Sequence, residues 1–173
     1  MNEQKPISHI VAGLIIGAFM IIYSIALNFM GLMKQQALGW IGYGIMIIGI
    51  IIFINLYGKS KNNYVSFGGL FGYGFKATAI ISLLMALFLI GFFILFPEFK
   101  DKIMDSAREG MESRENMTDD QIDQGLAMFE KNFLLFTVGG AVFMYVLLGC
   151  VASLIGAAIT KKKPFNPLDQ TSM

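Results

Sequence analysis

The sequence predicts an all-α fold: an integral membrane four-helix bundle with an amphipathic helical hairpin protruding between helices 3 and 4. Three observations predict it. Hydrophobic residues make up 55% of the 173 residues and charged residues only 14%, against roughly 25% charged in soluble domains. Mean hydropathy is +0.64. The charges are also segregated: residues 97–131 hold ten of the twelve acidic and five of the thirteen basic side chains. Long uncharged runs are what a hydrocarbon layer demands, because a charge left there is costly and the backbone must satisfy itself as helix. The length suits one domain, here a single transmembrane domain 1–173 with spans at about 10–33, 37–57, 77–96 and 132–160 and an extramembrane helical segment at 97–131.

In chain order, a short polar lead with Glu3, Lys5 and Pro6 precedes the uncharged run Ile10–Met33, which as helix reaches about 36 Å. Ser24-Ile25-Ala26 loosely resembles a signal cleavage site, but the apolar run far exceeds a signal peptide's and its lead is weakly basic, so an uncleaved helix is expected. Lys34-Gln35-Gln36 breaks the run, and so short a link makes the first two helices antiparallel neighbours. Ala37–Tyr57 follows, with Trp40, Tyr43 and Tyr57 placed as interfacial aromatics. Gly58–Tyr64 reads as a polar turn.

The third helix is expected to begin before its span, with Ser66 as N-cap. Phe67, Phe71 and Phe75 recur at four-residue steps beside Gly68 and Gly72, and Gly74 and Lys76 complete an interfacial motif whose lysine snorkels to the headgroups. Pro97 limits the helix at Phe96. In the polar segment, Phe99, Ile103 and Ala107 share one side of a first helix. Thr118-Asp119-Asp120-Gln121 is a capping-box pattern, and Ile122, Leu126, Phe129 and Phe133 line one side of a second. With no breaker before the run 132–160, that second helix is expected to run straight into the fourth span, which Lys161-Lys162-Lys163-Pro164 closes.

An even number of spans puts both termini on one side. Placing them in the cytoplasm gathers Lys5, Lys59, Lys61, Lys76 and Lys161–Lys163 there, as the positive-inside rule favours, and turns the acidic hairpin outward.

Little in the chain points to chemistry. The net charge of +1 offers no general attraction to nucleic acid, so no such partner is expected. One cysteine, Cys150, excludes an intrachain disulfide, and one histidine, His9, excludes a His-rich metal site within a subunit. The spans hold no Asp, Glu, Arg or Lys away from their ends, which argues against a proton-coupled transporter, a pump or a voltage sensor. Gly42-Tyr43-Gly44 and Gly72-Tyr73-Gly74 lack the pore helix and threonine-rich strand of a potassium filter. Asp119-Asp120-Gln121-Ile122-Asp123 matches the DDxxD pattern of prenyl-diphosphate enzymes, but a second acidic motif is missing and helix starts favour acids anyway. The sequon Asn116-Met117-Thr118 reads as chance. No catalytic residue, cofactor-binding residue, metal ligand or cofactor is therefore expected. Small residues are the informative intramembrane feature: Gly13 and Gly17 in the first span, and Gly149, Ser153 and Gly156 in the fourth, allow close helix approach within the bundle or in a homo-oligomer.

Ser66-Phe67-Gly68 with Gly74-Phe75-Lys76, Pro97-Glu98-Phe99-Lys100 and the basic stop after the fourth span together resemble the domain of unknown function 4199 family, small four-span proteins typical of Bacteroidetes-type bacteria. The likeness covers nearly the whole chain. It implies a bacterial inner-membrane location and supplies no activity, cofactor or catalytic residue.

The reading is an uncharacterised, non-enzymatic membrane protein acting through protein contacts, by its acidic hairpin or by helix packing. The expected partners are the lipid bilayer and either a second copy or another membrane protein. One alternative is a carrier or channel for a neutral or lipophilic molecule, with Asn28, Asn55, Thr78 and Ser82 lining a hydrated cavity. Another is a lipid-modifying enzyme with carboxylates meeting at the membrane surface.

Overall fold

A computed structural model describes residues 6–32, 36–113 and 117–163. The lead through Lys5, the break at Lys34-Gln35, the sequon asparagine Asn116 and the tail from Pro164 lie outside the described residues. Among the described residues six helices follow one another: α1 His9–Phe29, α2 Gln36–Ser60, α3 Phe67–Leu95, α4 Glu98–Glu112, α5 Asp119–Lys131 and α6 Phe133–Ile159. No strand occurs among the described residues. Helices α1, α2, α3 and α6 are long and apolar enough to cross a membrane, which makes this a multi-pass membrane protein with an all-helical fold.

Local chemistry sets each helix end. The Ser8 side chain accepts the Val11 N–H at 3.2 Å to start α1. At its other end Gly31 takes φ +67°, and the Gly31 and Leu32 N–H groups donate back to the Asn28 and Leu27 carbonyls, both at 3.0 Å. This paired closure stops α1 at Phe29, short of the expected Met33, because only glycine enters that left-handed region cheaply. Helix α2 runs a turn past Tyr57 to Ser60 and then closes through Asn62 and Asn63, at φ 54° and 65°. Ser66 Oγ accepts the Gly69 N–H at 3.1 Å at the head of α3. Thr118 and Gln121 form the reciprocal capping box of α5.

The expectation of a continuous helix from the hairpin into the fourth span needs correction. Asn132 leaves helical geometry at φ −116°, ψ 28°. Its side-chain amide donates to the Met128 carbonyl at 3.1 Å, and its own carbonyl accepts the Phe136 N–H to begin α6. An asparagine can cap one helix and seed the next, so neither Gly nor Pro is needed.

The chain divides into two compact units, residues 1–84 with 144–173, and residues 85–143. In the first, Ala12, Ile16 and Met20 of α1, Met46, Ile50 and Ile54 of α2, and Leu70, Ala77 and Ile81 of α3 are buried with Ala152 and Ala157 of α6. Contacts fix the directions. Gly49 faces Ile16 and Gly42 faces Tyr23, whose hydroxyl donates to the Leu38 carbonyl at 2.8 Å, so α1 and α2 are antiparallel. Helix α3 lies against α1, α2 and α6. Outward, large apolar residues such as Phe19, Ile22, Ile48 and Leu83 are exposed, as a face bathed in lipid tails requires.

In the second unit the end of α3 and the start of α6 meet the hairpin α4–α5 through phenylalanines. Phe92 packs on Phe96 and Phe99, and Phe133 on Phe93 and Phe129, with ring centroids 5.0–5.9 Å apart.

Candidate functional site

The hairpin is built from two amphipathic helices joined at their apolar sides. Ile122 and Leu126 are buried. Gly125 leaves room for Met111, whose sulfur would lie 3.4 Å from a Cβ there. Two cross-hairpin ion pairs flank this seam, Lys100 to Glu130 at 3.1 Å and Arg108 to Asp123 at 3.1 Å, and Arg108 also reaches Glu112 at 3.7 Å. Lys102 lies over the Phe99 ring at 4.4 Å. Lys100, Lys102 and Arg108 are thus engaged within the hairpin, while Lys131 is exposed and makes no ion pair among the described residues. Glu98, Asp101, Asp105, Glu109, Asp119 and Asp120 are exposed and make no ion pair among the described residues. On α4 the acids fall at steps of three and four residues, Glu98, Asp101, Asp105, Glu109 and Glu112, which places them along one stripe. Asp105, Arg108 and Asp123 also edge a depression of about 340 Å³ floored by Leu126.

The DDxxD carboxylates take separate roles. Asp119 and Asp120 occupy the first turn of α5, where the helix dipole favours them, and Asp123 is held by Arg108. Among the described residues no three His, Cys, Asp or Glu side chains stand close enough together to hold a metal ion.

The small residues of the spans lie in seams of the first unit. A Cβ at Gly149 would overlap the Thr78 side chain, and one at Gly74 would lie 2.7 Å from Ser153 Oγ and 2.5 Å from the Ile54 side chain. Gly156 faces Ile51 and Ile54, Gly13 faces Ala77 and Ile80, and Gly17 faces Leu84. Thr78 and Ser153, both fully buried, donate to the Gly74 and Gly149 carbonyls of their own helices, at 3.0 and 2.6 Å. Each hydroxyl is therefore satisfied where no water is available. Ser82 Oγ and Thr137 Oγ1 are buried without a hydrogen-bond partner among the described residues.

The interfacial residues spread over two surroundings. Phe67 lies under the Lys162 ammonium at 5.7 Å, and Phe71 stacks on Phe75 at 5.8 Å. Gly68 and Lys76 line a depression with the start of α1, and Gly74 belongs to the α2–α3–α6 seam instead. Two features escape the sequence reading. Tyr57 stacks on Tyr73 at 4.3 Å, and the Tyr73 hydroxyl donates to the Ile7 carbonyl at 3.0 Å; no periodicity links residues on different helices. Gly49 and Gly58 also mark close approaches, to Ile16 and Thr160, and Gly49 and Gly42 share a seven-residue spacing that a wider search for small-residue patterns would find.

Residues 12–162, most of the chain, match a family model described as a protein of unknown function, DUF4199. No curated protein and no solved structure matches the chain.

Proposed function

The chain belongs to the DUF4199 family of proteins of unknown function, and we propose that it is a non-enzymatic membrane protein whose hairpin α4–α5 binds a cationic surface of a partner protein. One observation carries this reading: Lys100 and Arg108 are spent on pairing within the hairpin, and six exposed carboxylates are left unpaired among the described residues. Like charges four residues apart destabilise a helix by a few tenths of a kcal/mol each, roughly 0.2–0.5. The stripe Asp101, Asp105 and Glu109 therefore costs the free protein stability, and a basic partner would recover it. The charge also keeps the hairpin out of hydrocarbon, so it is available to another protein. The membrane is a cell inner membrane of a bacterium, with both termini cytoplasmic and the hairpin outside. Lys59, Lys61, Lys76 and Lys161–Lys163 at one end of the four-span unit support that orientation. The carrier alternative is disfavoured at Thr78, whose hydroxyl is turned into its own helix and closed over by Gly149.

The test is capture in mild detergent at two salt concentrations, comparing the intact protein with Glu98→Gln/Asp101→Asn/Asp105→Asn/Glu109→Gln. The internal ion pairs survive in this variant. A basic partner held by the wild type, released by salt and lost from the variant is the expected result. An identical set of captured proteins from both would overturn the proposal.

A further inference from the structure

We propose a second site, at the lysine-bearing end of the four-span unit: a pocket that holds the phosphate of a net-anionic membrane phospholipid. It rests on its own observations and does not require the hairpin reading. A depression of about 510 Å³ lies between the start of α1, the end of α2 and the first turns of α3, and its wall includes Ser8, His9, Tyr57, Lys61, Gly72 and Lys76. Its floor is held in place. Tyr73 is stacked on Tyr57, bonded to the Ile7 carbonyl and met edge-on by His9 at 6.4 Å. Above that floor the backbone of α3 is open, since a Cβ at Gly68 or Gly72 would meet nothing within 4 Å.

The charge around the pocket is one-sided. The described residues of this unit include Lys59, Lys61, Lys76 and Lys161–Lys163 and no carboxylate. Lys162 is occupied by the Ala157, Ala158 and Thr160 carbonyls, and Lys163 lies over Tyr64 at 5.2 Å. Lys61 and Lys76, by contrast, form no ion pair among the described residues and both line the pocket. Helices α1 and α3 also begin here, adding partial positive charge from their free N–H groups.

Position selects a lipid over a soluble anion. The pocket sits at the ends of three apolar spans, the plane where headgroups lie. Lys76 stands about 14 Å along α3 from its first residue, within snorkelling reach of a phosphate from apolar depth. Ile10 and Leu14 of α1, just past His9, are exposed and continue as an apolar track for an acyl chain.

The test is native mass spectrometry of the full chain in detergent, titrated with phosphatidylglycerol and, separately, phosphatidylcholine. Four proteins are compared: wild type, Lys61→Gln/Lys76→Gln, Lys59→Gln/Lys161→Gln and Gly72→Leu. The wild type should retain one phosphatidylglycerol in preference to phosphatidylcholine. With each lysine worth about fivefold near an anionic lipid, Lys61→Gln/Lys76→Gln should bind it about 25-fold more weakly. Lys59→Gln/Lys161→Gln, which removes the same charge outside the pocket, should bind like wild type. Gly72→Leu fills the pocket without changing charge and should bind no lipid; if it does not fold, the two lysine pairs decide. Equal losses in both lysine pairs, equal retention of the two lipids, or displacement by millimolar inorganic phosphate would each overturn the proposal.

Discussion

Adding one methyl group at Gly149 drives it into the Thr78 side chain, so Gly149→Ala is expected to destabilise the protein by roughly 1–3 kcal/mol. Thr78→Ala in the same chain should restore most of that loss, because the obstructing atoms are gone. Denaturant unfolding in detergent, followed by helical circular dichroism, measures both. Gly44→Ala, where a Cβ meets nothing within 4 Å, is the control and should be neutral or stabilising. The buried Ser82 hydroxyl, without a partner among the described residues, works in the opposite sense. An unsatisfied buried hydroxyl costs about 1–3 kcal/mol, and Ser82→Ala is expected to raise the unfolding midpoint in the same assay.

The helices respond to their caps. Gly31 sits at φ +67° with open space around it, so Gly31→Ala tests conformation alone and should cost about 1–2 kcal/mol. Thr118→Ala removes the capping box of α5 and should cost about 1 kcal/mol, read as faster amide hydrogen exchange across α5. The box was legible as four consecutive residues because a cap is local. Gly31 was equally local, and a left-handed glycine closing a helix is a known stop signal. Glycine is also common within membrane spans, so Gly31 by itself does not mark an end of the apolar run. Asn132 is not legible in the same way: an asparagine is compatible with a helix interior, and the break there accompanies the packing of Phe133 on Phe93 and Phe129, one of them distant in sequence.

For the molecule as a whole, orientation is the open test of the proposed location. In a Cys150→Ser background, a cysteine at Ser113 should react with a membrane-impermeant maleimide in intact cells exposing the outer face of the membrane. A cysteine at Lys161 should react only after permeabilisation. The reverse pattern would put the hairpin in the cytoplasm. The helical class, the four apolar spans and the charged insertion between the third and fourth were readable in one dimension. Each depends on how many apolar residues run together and where charge interrupts them, and a hydrocarbon layer acts on that property directly. Which helix faces meet was decided only by tertiary structure. In a soluble helix the apolar stripe marks the inward face, but α1, α2, α3 and α6 are apolar all round, so hydrophobicity no longer distinguishes a neighbouring helix from lipid. The pairing of Gly149 with Thr78, Gly74 with Ser153 and Tyr57 with Tyr73 follows instead from close fit and from hydroxyls satisfied within the bundle, and fit between separate helices exists only once they have packed.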